Sequence, residues 1–396
     1  MRGHIRPRGK NSWAVIVRIP DPITGKSKPK WHTVRGSEKD AEKELTKILR
    51  EIDTNTYIEP KKTTMTDYLR KWLKRQERNL APNTLRGYKT NLEKHVIPYI
   101  GEVPLTKVKP AHIDDLFNET LASTDLSNKT LLYVFRTLHK ALGDAVRREE
   151  IFRNLAANVE RPKPGEVEIR VLKSSEEIVE LVQALGNSIL LLPSMVMLST
   201  GLRRGEALGL RWSDLDFEKR IMRVCKQLQL NPWKKKLELA RVKTKSSKRP
   251  LQISKLTIQL IKIREIEQKE ERRLVGSGWN NKDDLVFTWP DGSKINPSWF
   301  TKEFHNKVRN TPLGKLTPHG LRHSLATLLL ANNQNMKLVQ EQLRHSNITI
   351  TSDTYSHLLP TMQEQLANSI DSSMGQIMET ILDIKKSVAL AKSVSN

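Results

Sequence analysis

The segment Thr317-Pro318-His319-Gly320-Leu321-Arg322-His323 holds the residues of this chain best suited to chemistry. Thr317 has a helix-capping side chain, and Pro318 suits a first helical position, so a helix should begin here. His319 and Arg322, three residues apart, then share one face at its N-terminus, where free N–H groups and the helix dipole favour an anion. A histidine that passes protons beside a permanently charged, two-pronged guanidinium is what a phosphate transition state requires. Upstream, Thr200-Gly201-Leu202-Arg203-Arg204-Gly205-Glu206 sets a glycine turn ahead of Arg203, with Glu206 three residues on to orient the guanidinium. Arg and Glu at this spacing are also commonly an exposed pair of little consequence. Arg241-Val242-Lys243-Thr244-Lys245-Ser246-Ser247-Lys248-Arg249 reads as a basic hairpin tip that either carries a lysine into a phosphate site or attracts a phosphate backbone without chemistry. Downstream, Gln342-Leu343-Arg344-His345-Ser346-Asn347 supplies a further histidine, and Asp353-Thr354-Tyr355-Ser356-His357 the last of six tyrosines. The other five, Tyr57, Tyr68, Tyr88, Tyr99 and Tyr133, fall in the first half of the chain. A lone tyrosine is ordinarily a packing residue, so Tyr355 draws its weight from this company.

These residues need a scaffold, and 396 residues exceed one compact core, which argues for several modules. Trp13–Ile19 and Trp31–Val34 read as the strands of a hairpin turning at Asp21–Lys26. Ser37 with Asp40 forms a capping-box pattern, after which Ala41, Leu45, Ile48, Leu49 and Ile52 fall on one helical face. Arg2, Arg6, Arg8, Lys10, Lys26, Lys28 and Lys30 crowd the strand ends. They are either solvated loop charges or a ribbon fitted to a nucleic-acid groove. From Thr64 to about Ala157 the periodicity is helical, with Asn83 and Ser127 placed as N-caps and Pro110 at a first helical turn. Arg161-Pro162-Lys163-Pro164-Gly165-Glu166 reads as a linker. Beyond it, helices to Leu210, strands near Ile221–Leu230, Leu237–Val242 and Arg249–Ile253, and further helices indicate a mixed α+β domain that is mostly α. A tail from Met374 carries Ile377, Ile381, Ile384, Val388 and Ala391 as an apolar stripe that needs a partner surface, on its own domain or on a neighbouring protomer.

Composition narrows the partners. Lys and Arg number 68 against 44 acidic residues, a net charge of +24, so a polyanion is expected: nucleic acid first, an anionic membrane surface second. Hydrophobic residues at 37% suffice for real cores. A single cysteine, Cys225, excludes an internal disulfide and any site built from several thiolates. The histidines form no H-E-x-x-H helix and no carboxylate-rich triad accompanies them, and no G-x-S-x-G turn occurs, so metal-dependent hydrolysis and serine catalysis lack support. Met1–Arg6 holds no apolar signal core, and the apolar run around Ile189–Leu198 is broken by Pro193 and Ser194, from which a soluble intracellular protein is expected.

Taken in order, Arg203, Lys243, His319, Arg322, His345 and Tyr355 resemble the T-G-L-R-x-x-E, hairpin K-T, H-x-L-R-H, L-G-H-S and D-T-Y motifs of the tyrosine recombinase (phage integrase) family. One departure is plain: Arg344 stands where the family has the glycine of L-G-H-S. The resemblance implies a multidomain, mostly α protein. Residues 1–60 would form a small N-terminal β-sheet plus helix, an arm-type DNA-binding domain with three strands. Residues 63–160 would form a helical core-binding domain and 170–365 the α+β catalytic domain, while the apolar stripe makes 366–396 a tail helix that docks either in cis or in trans. It implies a site-specific integrase that cleaves and rejoins DNA through a 3′-phosphotyrosyl link, for integration and excision of a prophage or conjugative transposon.

In that scheme Tyr355 is the nucleophile and His319 takes its proton. Arg203 and Arg322 hold the non-bridging oxygens, Lys243 protonates the leaving 5′ oxygen, His345 bonds the phosphate and Glu206 supports the arginines. Lys245 shares a strand face with Lys243 and is the alternative acid. Arg2, Arg6, Arg8, Lys26, Lys28, Lys30, Lys245 and Lys248 would contact DNA. No cofactor and no metal is implied. The partners implied are double-stranded DNA at core and arm sites, three further copies in a tetramer on synapsed DNA, an excisionase and a host DNA-bending protein, with no membrane, in the bacterial cytoplasm at the nucleoid. A type IB topoisomerase-like relaxing enzyme, or a non-catalytic DNA-binding regulator on the same scaffold, is the alternative. The target sequence, the crossover spacing and the control of direction are not written in these residues.

Overall fold

A computed structural model describes residues 3–20, 27–54, 56–59, 62–165, 169–242, 250–332 and 334–344. The chain divides at Glu166/Val167 into two compact units.

The first unit opens with an antiparallel sheet of β1 (Gly3–Gly9), β2 (Ser12–Pro20) and β3 (Ser27–Arg35) in that spatial order. The expected hairpin is therefore β2–β3, and a third strand precedes it. That strand completes the three-stranded sheet which the family resemblance implies, its polar His4 and Arg6 alternating with Gly3 and Ile5. Helix α1 (Glu38–Asp53) starts at Ser37, whose hydroxyl accepts from the Asp40 backbone while Asp40 accepts from the Ser37 backbone, the expected capping box. Val15 and Val17 meet Ala41, Ile48 and Ile52 in a small core between sheet and helix. Because side chains alternate across a strand, register then assigns every residue a side. Ile5 and His32 lie opposite Val15, while Gly3 and Lys30 lie opposite Val17, all on the helix-covered face.

Helices α2 (Met65–Gln76), α3 (Pro82–His95), α4 (Ile97–Ile100), α5 (Pro110–Asp115) and α6 (Asn128–Arg147) follow. Their core gathers Tyr68, Leu69, Trp72, Leu92, Ile113, Phe117, Val134, Leu138 and Leu142. The Trp72 indole donates to Asp144 at 2.7 Å, which satisfies its one polar atom in this interior. Ser127 caps α6 and Pro110 opens α5 as expected, whereas Asn83 lies inside α3. Pro82 takes the first helical position there and leaves Ala81 as the cap, because a proline has no N–H to satisfy.

The second unit contains α7 (Ser175–Leu185), α8 (Leu191–Thr200) and the single turn α9 (Arg204–Ala207). Five short strands come next: β4 (Leu215–Asp216), β5 (Ile221–Met222), β6 (Lys226–Asn231), β7 (Lys236–Arg241) and β8 (Leu251–Gln252). Then follow α10 (Lys255–Val275), α11 (Pro297–Val308), α12 (Pro318–Ala331) and α13 (Met336–Leu343). The strand expected over Ile221–Leu230 is two strands in different sheets, β5 pairing with β4 and β8 while β6 pairs with β7. Helix α8 packs between α10 and α12, and α9 sits on β6. Gly209 allows that last approach, since a Cβ there would lie 2.6 Å from the Leu228 nitrogen. The core joins Val196, Met197, Leu202, Phe300, Phe304 and Leu321. No described helix is long and apolar enough to cross a membrane.

Candidate active site

The site begins where α8 ends. Gly201 caps that helix in the left-handed conformation, φ 71°, which a side chain resists. The space is also taken, because a Cβ on Gly201 would lie 2.8 Å from a Leu343 methyl on α13. The chain leaves this turn extended at Arg203, the N-cap of α9, so the guanidinium emerges at a helix start rather than along a helix. Glu206 accepts from the Arg203 backbone at 3.0 Å with one carboxylate oxygen and from the Arg203 guanidinium at 3.0 Å with the other. Glu206 is 2% exposed while the Arg203 side chain is 40% exposed, so a buried carboxylate holds a guanidinium that faces outward.

α12 starts as its sequence predicts. The Thr317 hydroxyl accepts from the Gly320 N–H at 3.0 Å and Pro318 occupies the first turn. His319 is exposed at this N-terminus, and Arg322 is buried to 1% one turn on. The Arg322 guanidinium donates to the carbonyls of Gly201 and Leu343 and so ties α8, α12 and α13 together at one point. Crowding by protein, then the charges of Arg322 and Arg203, lower the pKa of His319 from the ordinary 6.5. A histidine so placed is neutral near pH 7 and free to accept a proton. His323 stacks edge-on against it, ring centroids 4.8 Å apart, and is pushed down to about 4 by burial, His319 and Arg322 in that order.

Residues remote in sequence thus converge: Arg203 with Glu206 from the α8–α9 turn, and His319 with Arg322 from α12. Lys243, Lys245, Lys248, His345 and Tyr355 lie outside the described residues, as do Arg2, Lys26 and the tail 366–396. Two residues not assigned a role from the sequence belong to the cluster. One is His323, signalled only by its position four residues after His319 on the same helix. The other is Arg344, visible in sequence only as a departure from a glycine. It caps α13 in the left-handed conformation, φ 55° and ψ 40°, which explains why glycine suits the position. Its buried guanidinium donates to Glu206 at 2.7 Å. Burial alone would raise the Glu206 pKa, yet Arg344, the Arg203 backbone and the Arg203 guanidinium together hold it below the ordinary 4.5. Among the described residues no group of three or more His, Cys, Asp or Glu is placed to hold a metal.

A second charged surface lies on the N-terminal sheet. Strand parity puts His4, Arg6, Ala14, Ile16, Arg18, Pro29, Trp31, Thr33 and Arg35 on the face away from α1. Arg8 joins them through its 2.8 Å bond to the Thr33 hydroxyl. Lys28 and Lys30, by contrast, pair with Ile19 and Val17 on the helix side, and Lys30 is held by Glu59 at 2.7 Å. The open face therefore carries arginines around a 62%-exposed Trp31. Charge at the strand ends does not single out Arg18, Trp31 and Arg35; parity across the paired strands does.

The family model described as "Phage integrase family" matches residues 172–362, and that of the "Phage integrase, N-terminal SAM-like domain" matches 64–121. The chain belongs to the phage integrase family. Within it, a protein described as tyrosine recombinase XerC-like from Caldanaerobacter subterraneus subsp. tengcongensis is 29% identical over 385 residues, covering 92% of this chain and 96% of its own. The ICEBs1 integrase of Bacillus subtilis is 26% identical over 356 residues, covering 89% and 94%. Among solved structures, the Tn1549 transposon integrase in complex with transposon right-end DNA superposes with a TM-score of 0.64 at 22% identity, over 77% of this chain and 99% of that one. The fold of this family member is thus that of the tyrosine recombinase integrases.

Proposed function

We propose that the chain is a site-specific DNA recombinase of a mobile element, with Tyr355 as its nucleophile. The observation that carries this reading is the convergence of Arg203, His319 and Arg322 from two distant segments, with Arg322 buried and clamped by two backbone carbonyls. Such fixed cations need no reorganisation when negative charge concentrates on the non-bridging oxygens of a phosphodiester. In the reaction the Tyr355 oxygen bonds to phosphorus as the bond from phosphorus to the 5′ oxygen breaks. The phenolic proton passes to His319, which is neutral and able to take it. Lys243, or Lys245 two residues on, gives a proton to the departing 5′ oxygen, and His345 donates to the phosphate. The phosphotyrosyl link conserves the bond energy, so the 5′ hydroxyl of a second strand reverses the step without a nucleotide cofactor.

Residues 170–365 form the catalytic module in this reading, 63–160 clasp core-site DNA and 1–60 bind arm sites through the arginine face of the sheet. Two duplexes and four strand cuts call for four protomers, joined by tails 366–396 docking in trans, in the bacterial cytoplasm at the nucleoid. An excisionase and a host bending protein set direction. The deciding experiment incubates the full chain, without added metal, with nicked duplexes carrying the two ends of its DNA element. A covalent adduct that maps to Tyr355 and vanishes in Y355F is expected. An adduct that persists in Y355F overturns the assignment.

A further inference from the structure

We propose that Arg344 is a positioning residue: through Glu206 it fixes the orientation of Arg203 and holds the end of α13 against the arginine-bearing turn. The inference rests on the recombinase reading above and adds to it a residue that stands outside the family's motif, at a position where the family has glycine.

Two observations make Arg344 more than a tolerated substitution. A left-handed backbone is unfavourable for any residue with a Cβ and persists only where surrounding structure enforces it. Arg344 adopts φ 55° and ψ 40° at the cap of α13 although glycine would adopt it without strain. Its guanidinium is also buried, and a buried cation is tolerated only when paired. The partner is Glu206, whose side chain is equally hidden, at 2.7 Å. Strain and burial at one residue are both unfavourable alone, and the ion pair with Glu206 offsets them.

The carboxylate is shared. One Glu206 oxygen receives Arg344 and the Arg203 backbone N–H, and the other receives the outward-facing Arg203 guanidinium. Arg344 therefore fixes the carboxylate from the interior side, and the carboxylate fixes Arg203 toward solvent. Arg322 makes the parallel tie between the same two elements, donating to Gly201 on the turn and to Leu343 beside Arg344. The next residue in sequence is His345, which the proposed reaction assigns to the phosphate.

The test uses R344G, which keeps the left-handed turn, relieves its strain and still leaves Glu206 bonded to Arg203. Among the described residues the charged groups that face Glu206 are Arg203 and Arg344, so removing one should let the Glu206 pKa rise. The full chain and its variants are compared in adduct formation on nicked duplexes carrying the ends of the element. We expect R344G to bind these duplexes as tightly as the parent but to form adduct about 10- to 100-fold more slowly, the usual consequence of a misplaced catalytic group. The loss should deepen as pH falls toward the carboxylate range, R344K should recover part of the rate, and in an E206Q background R344G should add no further loss. R344G reacting at the parent rate, losing DNA affinity in proportion, or slowing an E206Q chain just as much would each overturn the inference alone. A parent chain that forms no adduct overturns the recombinase reading, and this inference with it.

Discussion

Replacing Glu206 by glutamine changes one atom and one charge, and the cost should be large because of where that charge lies. Glu206 and Arg344 are exposed by 2% and 1% of their side chains, so the pair is out of water. Removing one partner of a buried pair strands the other charge and costs about 3–5 kcal/mol. Glutamine also turns an acceptor into a donor among three donors, the Arg203 backbone, its guanidinium and that of Arg344, so one bond is lost outright. For a unit of this size 1 kcal/mol moves the melting temperature by about 2–4 °C, which places E206Q about 6–20 °C below the parent chain. R203A is the contrast. Its ion pair is 40% exposed on the arginine side and worth at most about 1 kcal/mol, so R203A should melt close to the parent while losing adduct formation. The folded-state pKa of Glu206 is depressed below its ordinary 4.5. Its contribution is therefore complete above that value and is lost as pH falls through the folded pKa. The gap between parent and E206Q should accordingly be wide at pH 7 and close in acid. Differential scanning calorimetry of the full chain at both pH values measures this. A gap under about 2 °C at pH 7, or R203A melting as low as E206Q, would refute the reasoning that the interior arm of this network carries the stability.

In an NMR titration of the DNA-free chain, His323 should titrate at about 4 and His319 below 6.5, the latter moving back up in R203A. Both depressed values mean stability that is intact above 6.5 and falls away as acid protonates the rings, so a His319 midpoint at or above 6.5 would contradict the charge arrangement described. On the N-terminal sheet, R18A and R35A should each weaken arm-DNA binding and flatten its salt dependence by about one unit of slope, whereas K28A and K30A, on the helix-covered face, should do neither. Filter binding across a salt series separates the two; equal losses from lysines and arginines would mean that strand parity does not decide the contact face.

Much of this protein was legible in local sequence because the deciding interactions are local. The Ser37–Asp40 box, the Thr317–Pro318 start and the Gly201 turn act within a few residues and were read directly. So was the order of the chemical residues, since the motifs fix types and spacing. The apolar stripes of α2 and α6 likewise announced a helical core. What the sequence could not convey was which face, and which partner. Lys28 and Lys30 look like Arg6 and Arg8 in a list of charges, and only strand register puts them on opposite sides of the sheet. The run Ile221–Leu230 is uniformly strand-like, and only pairing divides it between two sheets. Arg344 is the clearest case: as a letter it merely departs from a glycine, and its meaning depends on Glu206, 138 positions earlier. A buried charge takes its value from the partner that replaces water around it, and that partner is chosen by tertiary packing, not by neighbours along the chain.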